Sequence, residues 1–258
     1  MNKNKNSCNF LEYVSKIDME QYNDILDMPK VRKRSVVSKE KNKKIKSLEK
    51  KTDFCDKSAC SIFFSEELIV AITSGDKDLV ESLIISKDIN INQSDLHGYT
   101  PLIWAADRGN ADIVKLILCH QDINVNQQDN NGYTALMWAA DLGKTNVVKI
   151  LLKHPDIDVN MLDRDGNSAL IWAADKGHLK ISKRLLAVKN IDVNVQNNEG
   201  FSALLCAAEQ GFTDVVKEML ECKETDVTLT DAKGVNALNA AKNNEHDTIV
   251  NMLNKYLK

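Results

Sequence analysis

The stretch Gly132-Tyr133-Thr134-Ala135-Leu136-Met137-Trp138-Ala139-Ala140-Asp141-Leu142-Gly143 recurs along this chain at a fixed spacing of 34 residues. One copy precedes it at residues 98–109, and two follow it at 166–177 and 200–211. A fixed period of about 20–50 residues is typical of stacked-repeat proteins, in which each unit packs only against its neighbours. The sequence therefore predicts an array of similar units.

Each copy carries the local signals of two short helices and a turn. A Thr, Ser or Asn stands where the first helix should begin, because its side-chain oxygen can accept an unpaired amide hydrogen bond. These are Thr100, Thr134, Ser168, Ser202 and Asn236. A Gly, which adopts the left-handed conformation at low cost, then ends the first helix: Gly75, Gly109, Gly143, Gly177 and Gly211. A second apolar helix follows, and an Asn-rich turn leads into the next unit through Asn92, Asn126, Asn160 and Asn194.

These motifs resemble the ankyrin repeat, whose hallmark is G-x-T-P-L-H-x-A-A-x-x-G. The resemblance implies an all-α ankyrin-repeat solenoid of helix-turn-helix units with β-turn fingers. We expect six units, the first and last being atypical caps, at about 62–97, 98–131, 132–165, 166–199, 200–233 and 234–258.

Two departures from the hallmark bear on the loops. Its His is replaced by Ile103, Met137, Ile171 and Leu205, so the hydrogen bonds of that His must be supplied otherwise or lost. The period is 34 residues, one more than the family's usual length, and we expect the extra residue in a longer loop after the second helix.

Residues 1–60 differ from the repeats in charge. They contain 15 Lys and Arg against 9 Asp and Glu, whereas residues 61–258 contain 19 against 28. Dense like charge cannot bury a core, so we interpret 1–60 as a disordered or partly helical basic arm before an ankyrin repeat domain at 61–258. The basic tract in this arm is typical of a nuclear-import signal, a solvated tail or a phosphate-binding patch. Its main residues are Lys30, Arg32, Lys33, Arg34, Lys43 and Lys44.

Several function classes find no support in the sequence. No apolar run approaches the length of a membrane span, and the first ten residues lack the apolar core of a secretory signal. Phosphate-binding, dinucleotide-binding, zinc-protease and serine-hydrolase motifs are missing, so we expect no catalytic residues, no metal site and no cofactor. The six cysteines form no C-x-x-C pair, which indicates free thiols in a reducing compartment. We therefore expect a cytoplasmic or nuclear location, or both.

The candidate binding residues come from a helical wheel of the first helix. Leu136 and Ala140 fall on the packing face, and Trp138 and Asp141 fall roughly opposite. Stacking would place a ladder of indoles beside a ladder of carboxylates, and the resemblance implies that turns and first helices line a concave groove. An alternative is that the Trp residues only pack between units and the carboxylates form a solvated face. The candidate partner-binding residues are Tyr99, Trp104, Asp107, Tyr133, Trp138, Asp141, Trp172, Asp175, Phe201 and Glu209.

From these features we expect a noncatalytic protein–protein interaction module. It would be a monomeric intracellular adaptor or regulator that binds a protein or an extended, basic peptide through the concave groove. One alternative is an escort chaperone for a basic client such as a ribosomal protein or a proteasome subunit. Another is a nuclear regulator whose basic arm touches nucleic acid. Nucleic acid is not the partner that we expect for the chain, because the basic tract offers no aromatic residues for base stacking.

Overall fold

The structure, a computed structural model, describes residues 57–85 and 89–256, with side chains from residue 66 onward. Over these ranges the chain forms twelve helices and no strand. Two isolated bridges, Gln196 with Ser202 and Thr230 with Asn236, are the β-type pairs found there. The basic tract belongs to residues 1–56, which lie outside the described residues.

The helices form six pairs that recur with the 34-residue period of the sequence, which confirms the all-α repeat prediction. Each pair consists of a first helix and a second helix joined by a short turn. The pairs are α1 (Lys57–Ser74) and α2 (Lys77–Ile84), α3 (Pro101–Asp107) and α4 (Ala111–Leu118), α5 (Ala135–Asp141) and α6 (Thr145–Leu151), α7 (Ala169–Asp175) and α8 (Leu179–Leu186), α9 (Ala203–Gln210) and α10 (Thr213–Glu221), and α11 (Ala237–Asn243) and α12 (Asp247–Tyr256).

The helices are arranged in two layers. Each first helix packs against the first helices of the neighbouring units, and each second helix packs against its neighbouring second helices. The core between them is built from the repeated apolar columns, so Leu136 and Ala139 are fully buried, as are Val148 and Leu151 on the second helix. No helix in the described ranges has both the length and the apolar character needed to cross a membrane.

The predicted helix starts are confirmed. The hydroxyl of Thr134 accepts the backbone N–H of Met137 at 3.2 Å, and Thr100 accepts that of Ile103 at the same distance. The equivalent residues Ser168, Ser202 and Asn236 cap the later first helices in the same way. Each such cap contributes about 1 kcal/mol of stability.

The glycine that ends each first helix also makes room for the next unit. Gly143 has a φ of 69°, and a Cβ atom there would lie 2.8 Å from the His178 ring. Nε2 of His178 donates a hydrogen bond to the backbone carbonyl of Asp141 at 3.0 Å. Gly177 has the same relation to the Phe212 ring, at 2.6 Å. A side chain at either glycine would strain the backbone and displace the aromatic ring that links two units.

The Asn-rich turns staple the long loops of adjacent units together. The Asn126 side chain donates to the carbonyl of Asp156 at 2.7 Å and accepts the N–H of Asp158 at 2.9 Å. Three further asparagines make the same pair of bonds to the following unit: Asn92, Asn160 and Asn194. The loop after the second helix is therefore tied to the next unit by two side-chain hydrogen bonds at each of these four asparagines.

Candidate functional site

The aromatic candidates form one continuous row, which we call the aromatic face: Trp104, Tyr99, Trp138, Tyr133 and Trp172. Tyr99 packs edge-on against Trp104 at 5.2 Å and against Trp138 at 5.5 Å between ring centroids. Tyr133 lies 5.0 Å from Trp138 and 5.3 Å from Trp172. Each tyrosine thus lies between two successive indoles, and such contacts contribute about 0.5–1.5 kcal/mol beyond area burial.

Each indole is also hydrogen-bonded to an aspartate that the sequence analysis did not single out. Nε1 of Trp138 donates to Oδ2 of Asp129 at 2.9 Å. Trp104 donates in the same way to Asp95, and Trp172 to Asp163, at 3.0 and 2.9 Å. The signal was available, because an Asp stands nine residues before each of the three tryptophans.

The same aspartates hold the turn that precedes each first helix. Oδ1 of Asp129 accepts the backbone N–H of Asn131 at 2.8 Å and that of Tyr133 at 2.9 Å. Only 6% of Asp129 is exposed, and these three donors offset the desolvation of its carboxylate. The aspartate therefore connects turn and helix, and we call this arrangement the Asp–Trp clamp.

The tryptophans are thus packed into the repeat and partly exposed at the same time. Trp104, Trp138 and Trp172 pack between units and are fixed by their clamps, yet each remains only half-buried. Packing between units and lining of a groove are therefore compatible at these positions. The indole geometry is fixed before any partner binds, which lowers the entropy cost of using it as a binding anchor.

Cations of the chain itself lie over two of the three indoles. The guanidinium of Arg108 lies 5.5 Å from the centroid of Trp104, and its Nε lies 3.4 Å from Asp107. Nζ of Lys176 lies 5.6 Å from the centroid of Trp172. That ammonium also donates to the neighbouring Asp175 carboxylate at 2.9 Å. The indole and the adjacent carboxylate thus form one cation site, in which both groups attract the same charge.

The corresponding place on unit 3 carries no cation. Leu142 occupies the position of Arg108 and Lys176, and 40% of its surface is exposed. Asp141 makes no ion pair within the described part of the chain. Burial raises the pKa of Asp141, and the nearby Asp175 adds to the effect, while Lys176 and His178 oppose it. Among the described residues, Trp138 thus has no cation over its ring and Asp141 no direct ion pair, and we call Trp138, Asp141 and Leu142 the central site.

Unit 5 departs from this pattern. Cys206 takes the place of the tryptophan and Asn197 that of the aspartate. Oδ1 of Asn197 accepts two turn amides, from Glu199 and Phe201, and its Nδ2 donates to Oδ1 of Asn167 at 2.8 Å. The turn is therefore retained without an indole.

The thiol of Cys206 lies in a buried, acidic environment. Burial, with Asp175 and Glu209 nearby, raises the pKa of the Cys206 thiol to about 12. The thiol is thus protonated at neutral pH, which excludes a reactive thiolate.

The remaining candidates are placed as follows. Asp107, Asp141 and Asp175 end the first helices beside the indoles, and Phe201 and Glu209 lie on the side of Trp172 toward unit 5. The six residues of the basic tract lie outside the described residues. In the ranges that the structure describes, no three His, Cys, Asp or Glu side chains are grouped so that they would hold a metal ion.

Comparisons with known proteins agree with this architecture. The family model described as ankyrin repeats (3 copies) matches residues 68–163, 121–197 and 170–257. A search of curated proteins finds no match. Among solved structures, a crystal structure of EF0377, an ankyrin repeat protein, is similar at 28% identity and a TM-score of 0.69, covering 73% of this chain and 96% of the other. The chain therefore belongs to the ankyrin repeat family, whose repeats serve as protein–protein interaction modules.

Proposed function

We propose that the aromatic face, with its flanking carboxylates, binds an extended peptide segment that carries basic side chains. The supporting observation is that this face already binds cations of its own chain twice, at Trp104 and at Trp172. The central site between them offers the same groups and holds no cation. A lysine or arginine of a partner would lie over Trp138 and pair with Asp141, as Lys176 does with its own indole and carboxylate.

The expected energetics suit a selective but moderate interaction. A cation over an indole contributes about 0.5–1 kcal/mol at an exposed site and about 2 kcal/mol when it is desolvated. The exposed Leu142 adds an apolar contact for the stem of the basic side chain. Because the clamps fix the indoles in advance, the indoles lose little conformational freedom on binding. We infer an adaptor or regulator that acts without catalysis, in the cytoplasm, the nucleus or both.

The test uses a substitution that the chain itself suggests. Leu142→Lys would copy the arrangement of Lys176 and place an intramolecular cation in the central site without removing any clamp. Leu142→Gln is the matched control, since Gln210 stands at this position in unit 5. Partners captured by the full chain are identified by mass spectrometry, and labelled peptides from their basic segments are titrated by fluorescence anisotropy.

We expect Leu142→Lys to weaken the binding of these peptides by about tenfold, which corresponds to about 1.4 kcal/mol. Leu142→Gln should weaken it by no more than about threefold, since an apolar contact is lost but no competing cation is added. Equal affinities of the wild type and Leu142→Lys would overturn the proposal.

An escort chaperone for a basic client is the second candidate, favoured by the acidic excess of residues 61–258. An escort would bind over a wide charged surface, so its affinity would fall steeply with salt. Charge reversal away from the aromatic face, for example Glu221→Lys on the second helix α10, would then weaken binding as strongly as Leu142→Lys. Peptide binding that is unaffected by Glu221→Lys would favour the adaptor.

A further inference from the structure

The aromatic face ends in a cleft between units 4 and 5. The cleft has a volume of about 380 Å³, within the range of about 300–1,000 Å³ found for ligand pockets. Cys206 lines it at the position where the preceding first helices carry tryptophan, and a thiol fills much less space than an indole. The rings of Trp172 and Phe201 contribute to its lining. The cleft thus combines aromatic surface with the space that an indole would otherwise fill.

The charged residues that line the cleft, within the described part of the chain, are all acidic. Four carboxylates line it, Asp165 and Glu199 from the turns and Asp175 and Glu209 from the ends of the first helices. No Lys or Arg is among the described residues that line it. Asp175 is paired with Lys176, at 2.9 Å, beside the cleft. The other three carboxylates make no ion pair within the described part of the chain, so the cleft offers acceptors to an incoming cation.

We propose that this cleft binds the guanidinium group of an arginine side chain of a partner protein. A guanidinium is planar, so it stacks on aromatic rings, and its five N–H donors pair with carboxylates from more than one direction. The lining supplies both kinds of contact, at Trp172 and Phe201 and at the carboxylates. An ammonium group is a compact, strongly hydrated point charge that uses the aromatic surface less well. The inference rests on the proposed function, because the arginine would belong to the peptide that lies on the aromatic face.

The direct test is a titration of the full ¹⁵N-labelled chain with N-acetyl-arginine amide, followed by NMR. We expect saturable shifts of the backbone amides of Glu199 and Phe201 and of the indole N–H of Trp172. N-acetyl-citrulline amide has nearly the same shape without the charge, and it should bind at least about tenfold more weakly. N-acetyl-lysine amide should fall between the two. Equal shifts with the citrulline compound, or shifts confined to other parts of the chain, would overturn the proposal.

Two substitutions fill the cleft by copying unit 4. The pair Asn197→Asp and Cys206→Trp would recreate an Asp–Trp clamp, so the fold has a precedent for both residues. The arginine response should disappear in this double variant, while the indole signals of Trp104 and Trp138 stay in place and report an intact fold. Persistence of the response would contradict the proposal.

A charge-removal pair separates the cleft from general electrostatics. Glu209→Gln should weaken N-acetyl-arginine amide binding about threefold or more, because one lining carboxylate is lost. Glu221→Gln removes the same charge from the second helix α10, outside the cleft, and should leave the affinity unchanged. Equal effects of the two substitutions would overturn the proposal.

Failure of this inference can be told apart from failure of the proposed function. Leu142→Lys should not alter the arginine response in the cleft, since it changes only the central site. An absent cleft response together with a clear effect of Leu142→Lys on peptide binding would reject the arginine cleft alone. The opposite result would reject the central site alone.

Discussion

The first helices of units 2 to 4 and of unit 5 are attached to their preceding turns in two different ways. In units 2 to 4 a buried aspartate joins the turn to an indole, as Asp129 does with Trp138 at 2.9 Å. In unit 5 both partners differ together, since Asn197 and Cys206 replace them. Asn197 still accepts the turn amides, but its remaining bond goes to Asn167 of the unit before it. In units 2 to 4 two positions nine residues apart are thus linked by a hydrogen bond, and in unit 5 that link is absent.

The comparison also distinguishes positions that hold the turn and the first helix together from surface positions that differ between units. In units 2 to 4 the clamp joins the Trp column to the Asp column before it. The position after the carboxylate has no such constraint and reads Arg108, Leu142, Lys176 and Gln210 along the array. This variable column decides whether an indole is covered by a cation of the chain, and under the proposed function it would set the preference for a partner.

The largest effect that would test this comparison is expected for Trp138→Ala. The substitution removes the contacts with Tyr99 and Tyr133 and leaves the carboxylate of Asp129 without its indole donor, so we expect a loss of about 3 kcal/mol in the free energy of unfolding. Urea unfolding followed by circular dichroism measures it. Cys206→Ala is the matched change in unit 5 and should cost about 1 kcal/mol. Similar losses for both would show that the clamp adds no stability beyond that of an ordinary side chain at this position.

A smaller effect isolates the hydrogen bond of the clamp. In Asp129→Asn the side-chain amide oxygen can still accept the two turn N–H groups. The side-chain N–H₂ group then faces the indole N–H of Trp138, so two donors meet and no hydrogen bond forms between them. We expect a loss of about 2 kcal/mol in the free energy of unfolding, typical of a bond to a charged acceptor. The indole signal of Trp138 should also move in the NMR spectrum. Asp156→Asn in an exposed loop is the control and should stay within about 0.5 kcal/mol. An equal loss in both variants would count against the clamp.

The fold was predictable from the sequence because its signals are local and repeated. Helix caps such as Thr134 and helix ends such as Gly143 depend on the backbone of a few residues, and five copies reinforce each pattern. The structure confirms both. The hydrogen bonds of Asn126 to the next unit were harder to predict, since they depend on carbonyl and amide groups about 30 residues further along the chain.

The candidate site was predictable only in part. The wheel placed Trp138 and Asp141 on the outer side of the first helix, but a wheel contains no information on the turn that packs beside it. Asp129 was therefore missed, although its spacing to Trp138 recurs in the sequence. The cleft at Cys206 was missed for a related reason, because a missing side chain becomes a cavity only when its neighbours are held in place by packing.

An intermediate effect should come from transferring the clamp into unit 5. Asn197→Asp alone places a carboxylate against Oδ1 of Asn167, and Cys206→Trp alone lacks a charged acceptor for its indole. Together they should stabilise each other by about 1–2 kcal/mol in a double-mutant cycle measured by urea unfolding. Strictly additive effects would mean that the two positions are independent and that the clamp depends on more of the unit than these residues.

The smallest effect distinguishes the unpaired Asp141 from Asp175, which has Lys176 as its partner. Burial raises the pKa of Asp141 above its usual 3.8, so the native chain holds that proton more tightly than the unfolded chain. Stability is therefore lost as the pH rises from about 3.8 through the raised pKa, and this loss persists at neutral pH. Asp141→Asn should raise the free energy of unfolding at pH 7 by no more than about 0.5 kcal/mol, since the group is partly exposed and screened.

That gain should vanish below about pH 3.8, whereas Asp175→Asn should give no gain at pH 7 because it breaks an ion pair. Urea unfolding at a series of pH values checks both variants, and a pH-independent gain for Asp141→Asn would contradict the assignment.

A cation bound at the central site would reverse the balance by favouring the ionised carboxylate. Asp141→Asn should therefore bind basic peptides more weakly while it folds slightly more stably, the trade-off expected where a residue is retained for binding.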